Sequence, residues 1–318
     1  MLNWYRTVFP EDTEMPSLVS GDASFRKFFR TSRGILMDAP PETEKNHRFV
    51  KISGLYNEAG VHAPAVLAVD YDQGYLLVED LGNQTMASVR SDENLTELYL
   101  DAVNLLGKIA QVEVSTLQAY DPEFVEWEDH LGLTWYLEKA CHADLSEADR
   151  AVLCEADQLF VENAFAQPQI AMHRDYHSRN IMVQNGQLGI VDFQDTIAGP
   201  LTYDLASLLF DCYFELPPDL VQTCLWVAYE MYDDLGLLRG TSYQEFERWT
   251  CLCGLQRHYK CLGIFERLAL AYDKPGYLND IPLVLTYMER TTRRFPELQA
   301  FGALIRRCTE QAQKGENS

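Results

Sequence analysis

Three side chains in this sequence have the types and spacing to handle a phosphate group together with a metal ion: Asp175, Asn180 and Asp192. The first two lie in "HRDYHSRNIMV", residues 173–183, which crowds His173, Arg174, Asp175, His177, Arg179 and Asn180 together and then turns apolar. Asn180 follows Asp175 by five positions, and Asp192 follows Asn180 by twelve. Carboxylate and amide oxygens are hard donors suited to Mg²⁺, an ion that keeps phosphate oxygens among its own ligands. With Asn180 and Asp192 in that role, Asp175 is left to accept a proton from an attacking hydroxyl. Orienting a nucleophile and neutralising charge with metal is the division of labour that phosphoryl transfer from ATP requires.

Such a set works only if the chain folds its members together. "NIMVQNGQLGIVDFQD" reads as two short strands around Asn185-Gly186, a strong hairpin signal that sets residues 180 and 192 on neighbouring strands. The first 85 or so residues are strand-rich. "SFRKFFRTS" and "RGILMDAP" are divided by turn residues, and "AVLAVDYDQGYLLVED" reads as a hairpin turning at Asp72-Gln73-Gly74. Between them "HRFVKISGLYNEAGVHAP" suits a short helix ending near Gly60. After Gly82, Leu95, Leu98, Ala102, Leu105, Leu106 and Ile109 recur at helical spacing. Ser146 and Asp149 have capping-box spacing ahead of Val152, Leu153, Ala156, Leu159 and Phe160. From about Leu201 helical periodicity dominates. The expected fold class is α+β, with a small β-rich lobe over 1–82 and a larger, mainly helical lobe over 83–318.

Composition narrows the function. A formal net charge of −22 opposes a nucleic-acid partner, since phosphate neutralisation needs a basic face. No run of about 18 uncharged apolar residues predicts a membrane span. "MLNWYRTVFPEDTEMP" lacks the basic start and apolar stretch of a signal peptide, so a cytoplasmic location is expected. The eight cysteines are then expected as reduced, buried thiols, and the C-x-C of Cys251 and Cys253 lacks zinc-site spacing.

H-R-D-x-x-x-x-N followed by D-F resembles the catalytic and metal-binding motifs of protein kinases. The second histidine of "HRDYHSRN" and the segment "VDFQDTIAGPLTYDLASLL" resemble more closely the aminoglycoside phosphotransferase family, which shares the protein-kinase-like bilobal fold and phosphorylates small molecules. "GDASFRKFFR", "MDAPPE" and "LQRHYKCLGIFERLALAYDKPGYLND" resemble one branch of it, the anomeric kinases of N-acetylmuramate and N-acetylglucosamine in peptidoglycan recycling. The likeness runs from about residue 20 to residue 285.

This resemblance implies an ATP-dependent transferase acting on an amino-sugar hydroxyl, with Asp175 as catalytic base and Asn180 and Asp192 holding Mg²⁺. It implies a phosphate-covering turn at Gly21, Ala23 and Ser24, with Arg26 and Lys27 nearby, and adenine contacts at the backbone of Glu79 and Leu81. Asp204 would bond back to the catalytic loop, as His173 would by its own hydrogen bonds. His177 could meet substrate, metal-bound water or backbone; Asp195 could orient the site or cap a helix. Arg257 and Lys260 share one helix face and could bind an anionic group of the acceptor or belong to an ordinary intrahelical salt-bridge network. One departure stands out. Kinases place a phosphate-binding lysine on the third strand, whereas "GILMDAP" offers Met37 and Asp38, leaving Glu58 on the next helix without that partner. Arg26, Lys27, Arg30 and Lys51 are the candidate replacements. The acceptor could instead be an aminoglycoside or choline-like alcohol, and the missing lysine is the feature a nucleotide-binding pseudokinase would show.

Overall fold

In chain order the elements are α1 (Leu2–Val8), β1 (Ser17–Leu18), β2 (Lys27–Thr31), β3 (Gly34–Asp38), α2 (Asn46–Glu58), β4 (Val66–Asp70) and β5 (Tyr75–Val78). Next come α3 (Met86–Val89), α4 (Leu95–Ile109), α5 (Pro122–Leu131), a π-helix (Gly132–Ala140) and α6 (Glu147–Phe165). Strands β6 (Gln169–Met172), β7 (Ile181–Gln184), β8 (Gln187–Ile190) and β9 (Ile197–Pro200) lead into α7 (Tyr203–Leu209). Helices α8 (Pro218–Asp234), α9 (Tyr243–Tyr272), α10 (Ile281–Arg294) and α11 (Gln299–Glu316) complete the chain. The computed structural model describes residues 1–19 and 26–316. It divides into two units, Met1–Thr116 with Asp175–Thr196, and Leu117–Arg174 with Ile197–Ser318.

The first unit rests on an antiparallel sheet ordered β1-β2-β3-β5-β4. In β2 and β3 the period-2 alternation divides the side chains between two faces. Leu36 and Leu77 are fully buried on one face against Tyr5 of α1, with Phe29 beside them. Asp12 accepts hydrogen bonds from Tyr5 and Ser32, which fastens the segment after α1 to the β2–β3 turn. The sequence gives little sign of α1, because its seven residues have no side-chain cap and its apolar side packs on distant strands. At the β4–β5 turn Gly74 has φ 72°, and a Cβ there would lie 2.2 Å from the Ala39 carbonyl oxygen, so only glycine fits.

The second unit is helical, with a core running from Tyr120 to Cys308. The expected capping box is present: Ser146 Oγ accepts from the Asp149 N–H at 3.2 Å, and Asp149 Oδ2 accepts from the Ser146 N–H at 3.0 Å. Leu153, Ala156 and Phe160 bury the inner stripe of α6. Helix α9 meets the end of α5 where Gly263 presents no side chain; a Cβ there would lie 2.1 Å from the Leu131 carbonyl oxygen. None of the eight cysteines forms a disulfide, and seven are buried. Cys154 departs from expectation: it lies on the outer side of α6 and is exposed.

One half-buried acid in this unit supplies a stability test. Desolvation, reinforced by Glu126, raises the Asp157 pKa to about 6. Its unfolded value is about 3.9, so the folded state binds the extra proton between those limits, and stability falls as pH rises through that window. Asp157→Asn should therefore raise the melting temperature by roughly 2–4 °C at pH 7.5 and leave it nearly unchanged near pH 4. Scanning calorimetry at both pH values decides it, and an equal shift at both would rule out the charge as the cause.

Candidate active site

The hairpin anticipated at Asn185-Gly186 is formed by β7 and β8, with Ile181 opposite Ile190 and Gln184 opposite Gln187. Asn185 (φ 52°) and Gly186 (φ 75°) both take the left-handed backbone of the tight turn that matches strand twist. This register carries the site. The N–H of Val191 donates to the carbonyl of Asn180 at 3.0 Å, setting Asp192 one residue from a direct tie to Asn180. The Asn180 amide nitrogen donates to the Asp175 carbonyl at 3.0 Å, which turns its oxygen away as an acceptor. Asp175, Asn180 and Asp192 thus belong to one bonded loop within the first unit. Asp192 is exposed, has φ 63°, and accepts a hydrogen bond from Gln194 Nε2 at 2.7 Å. One carboxylate plus one amide oxygen, reachable from solvent, is a donor set that suits Mg²⁺ shared with phosphate oxygens.

Apolar groups fix this loop from beneath. Tyr176 is fully buried, and its hydroxyl donates to the Ala102 carbonyl of α4 at 2.8 Å. Phe193 is 1% exposed, with its ring 4.8 Å from Phe49 and 6.0 Å from Tyr56, both on α2. The Thr196 carbonyl accepts from Arg48 at 2.9 Å, and the Thr196 and Tyr56 hydroxyls meet at 2.8 Å.

The residues just before Asp175 belong to the second unit. Strand β6, paired antiparallel with β9, delivers the chain to His173. Asp204, at the start of α7, accepts the N–H of His173 at 2.6 Å and that of Arg174 at 2.9 Å. Arg174 takes φ 79°, a strained backbone that these bonds hold in place. Its guanidinium sits 4.9 Å over the Phe124 ring and donates to Glu128 at 2.7 Å. Glu128 is fully buried and also accepts from Lys260 at 3.2 Å and from the Tyr120 hydroxyl at 2.8 Å. Burial alone would raise its pKa, but Lys260 and Arg174 outweigh burial and hold it below the usual carboxylate value. Beside it Asp129 makes no ion pair among the described residues, and the pull of Lys260 on it is outweighed. Desolvation, with Asp157, drives its pKa well up even though Gln256 donates to it at 2.9 Å.

The remaining sequence-derived candidates are distributed as follows. Gly21, Ala23 and Ser24 lie outside the described residues. Arg26 is 9% exposed and pairs with Glu44 at 2.7 Å, while Lys27 is exposed. Glu79 bonds His62 at 3.0 Å, and its N–H donates to the Ala65 carbonyl at 2.8 Å. Leu81 is buried, and a Cβ on Gly189 of β8 would lie 2.9 Å from its side chain. His177 is buried and its N–H donates to the Asp175 carbonyl at 3.1 Å; Asp195 is exposed. Both share the first unit with Asp175. Arg257 and Lys260 are 3% exposed and lie in the second unit. Arg257 donates to Cys212 Sγ at 3.4 Å, and Lys260, besides Glu128, donates to the Tyr203 hydroxyl at 2.6 Å.

Glu128 and Glu44 are two residues that the sequence reading passed over. Glu128 sits in "EFVEWEDHL" among three other acids, where a carboxylate reads as part of a solvated helix face. The usable signal was its position four residues after Phe124, on the stripe that meets Arg174. Glu58 is exposed in the last turn of α2, so the acid that meets a cation near this helix is Glu44, ahead of its start.

Comparison with known proteins places this geometry in a family. Over 291 residues the chain is 38% identical to an N-acetylmuramate/N-acetylglucosamine kinase of Pseudomonas aeruginosa, covering 90% of this chain and 86% of that one. It is 32% identical over 313 residues to the Neisseria meningitidis protein of that name, covering 95% and 93%. Among solved structures, the ADP-bound aminoglycoside phosphotransferase APH(2'')-Ib superposes with a TM-score of 0.62 at 13% identity, covering 91% and 97% of the two chains. The protein-kinase-like fold is therefore shared where sequence likeness has faded. The sequence model of the phosphotransferase enzyme family, APH, matches residues 17–238, a span that takes in the sheet, the hairpin, Asp175, Asn180, Asp192 and Asp204; the chain belongs to that family.

Proposed function

We propose that this protein transfers the γ-phosphoryl group of ATP to the anomeric hydroxyl of N-acetylmuramate or N-acetylglucosamine, giving ADP and a sugar 1-phosphate. The observation that carries the chemistry is the bonded loop joining Asp175, Asn180 and Asp192. The named activity of relatives that match most of the chain supports the acceptor, and the ADP-bound neighbour supports an adenine nucleotide as donor.

In this reading Asp175 accepts the C1 hydroxyl proton as the sugar oxygen forms its bond to the γ-phosphorus. The bond from that phosphorus to the β-phosphate oxygen breaks, and ADP leaves with the electron pair. Asn180 and Asp192 hold Mg²⁺, which when bound neutralises charge on the phosphate oxygens. Residues 1–82 form the nucleotide lobe, with the turn at Gly21, Ala23 and Ser24 over the phosphates and the backbone of Glu79 and Leu81 at the adenine. Residues 83–318 supply the catalytic loop and acceptor side. His177 and Asp195 contact the sugar. Arg257 and Lys260, deeply buried on Cys212 and Glu128, support the acceptor side without contacting the sugar. An ATP-dependent reaction fits a cytoplasmic location; no described helix is long and apolar enough to cross a membrane.

The test is direct. The purified protein is incubated with ATP, Mg²⁺ and a panel of N-acetyl amino sugars, aminoglycosides and choline, and products are read by ³¹P NMR. An anomeric phosphate on an N-acetyl amino sugar is expected. Transfer only to aminoglycosides or choline would overturn the acceptor, and no transfer to any acceptor would overturn the enzyme itself.

A further inference from the structure

The missing strand lysine leaves a specific question: which cation meets the nucleotide phosphates? The β2–β3 register answers it. Lys27 lies opposite Asp38, and Phe28 opposite Met37. Residues paired across an antiparallel ladder point to the same face, and faces alternate along a strand. Continuing that register one step beyond the ladder sets Arg26 opposite Ala39, on the face of Phe28 and Met37. That is the face on which a lysine of β3 would project, and in this chain both β3-side positions are apolar and fully buried: Met37 and Ala39.

The other three cations are placed elsewhere. Lys27 points to the opposite face, the one that Phe29 and Leu36 share with α1. Arg30 forks onto Asp80 at 2.5 and 3.0 Å and reaches the Gly82 carbonyl at 3.2 Å, which holds it at the segment after β5. Lys51, on α2, donates to the Thr116 carbonyl at 2.7 Å. Arg26 alone of the four leads toward the metal ligands. Its guanidinium carbon lies 5.9 Å from the Phe49 ring, and that ring lies 4.8 Å from Phe193, the residue after Asp192. Glu44 grips Nη2 at 2.7 Å, with the two side chains 9% and 10% exposed.

We propose that Arg26, held by Glu44, is the phosphate-binding cation of this chain, reaching from β2 across the ladder to the place where related kinases use a lysine on the next strand. The proposal rests on the kinase reading above. It also replaces the usual lysine–glutamate pair with an arginine–glutamate pair, Glu44 taking the part for which Glu58 is misplaced. A guanidinium carries five N–H donors in one plane. It can therefore face a carboxylate on one edge and phosphate oxygens on another, which a single ammonium does with far less directional control.

The test separates phosphate binding from structure. Binding of ADP and of adenosine to the full-length protein is measured by calorimetric titration for the wild type, Arg26→Met, Arg26→Lys and Glu44→Gln, alongside kcat and KM for ATP. Arg26→Met should weaken ADP by roughly 30- to 100-fold, as expected for loss of a charge-assisted phosphate contact, while adenosine changes less than about threefold. Arg26→Lys should recover part of that loss. Glu44→Gln should raise KM for ATP about fivefold or more and leave KM for the sugar unchanged. Undiminished ADP affinity in Arg26→Met, or equal loss of ADP and adenosine, overturns the proposal. Should Arg26→Met fail to fold, Glu44→Gln decides, and an unchanged KM for ATP overturns it. A wild type that binds ADP yet phosphorylates no sugar defeats the acceptor reading and leaves the ADP-against-adenosine comparison intact. A wild type that binds no ADP defeats both.

Discussion

Asp175→Asn is expected to lower kcat by roughly 10²–10⁴-fold while leaving ADP affinity within about threefold of wild type. Asparagine keeps the size of aspartate and the backbone bonds of the loop, including the carbonyl that accepts from Asn180 and from His177. What it removes is the proton acceptor. Because Asn180 and Asp192 stay in place, phosphate and metal binding should persist, and the loss should fall on kcat at saturating sugar and ATP. Steady-state kinetics with a parallel ADP titration measure both. Retention of more than a tenth of wild-type kcat would move proton transfer to another group.

The second large effect should come from Glu128, although this residue is expected to touch neither ATP nor sugar. Glu128→Ala leaves the guanidinium of Arg174 and the ammonium of Lys260 buried beside each other without their shared anion. Removing one partner of a buried ionic network typically costs about 3–5 kcal/mol. In a chain of this size that predicts a melting temperature lower by roughly 5–10 °C. Part of the cost should be recoverable. Adding Lys260→Met to Glu128→Ala removes one stranded charge, so the double variant should be more stable than the sum of the two single losses. Activity should fall too, since Arg174 precedes Asp175 and keeps its left-handed backbone only while both ends are held. A melting temperature within about 2 °C of wild type would show the network to be dispensable.

How much of this was readable in the sequence depended on the range of the signal. The β7–β8 hairpin, the β4–β5 turn and the α6 capping box each rest on residues within a few positions of one another, and each formed as expected. Asp175, Asn180 and Asp192 were legible because the hairpin that unites them is itself local. The network around Glu128 was not. Its partners lie 46 and 132 positions away, and no periodicity within "EFVEWEDHL" distinguishes an acid that meets them from one that meets water. Arg257 and Lys260 posed the same difficulty from the other side: helical spacing put them on one face, but only the contact between α5 and α9, opened by Gly263, shows what that face meets. Strand β6 escaped notice because its partner β9 lies beyond the entire catalytic loop. The π-helix after α5 has no sequence mark that we recognise.

The clamp on Phe193 has a pharmacological meaning. In protein kinases the packing of the phenylalanine after the metal-binding aspartate sets the active and inactive states. In this chain that ring is wedged between Phe49 and Tyr56, and the residues just after it are laced to the same helix by Arg48 and Tyr56. Vacating the space would take the buried Phe193 ring away from Phe49 and Tyr56 and uncover apolar surface on all three. Displacing Phe193 therefore carries a burial cost in this chain, and ligands that require the displaced ring should bind it weakly.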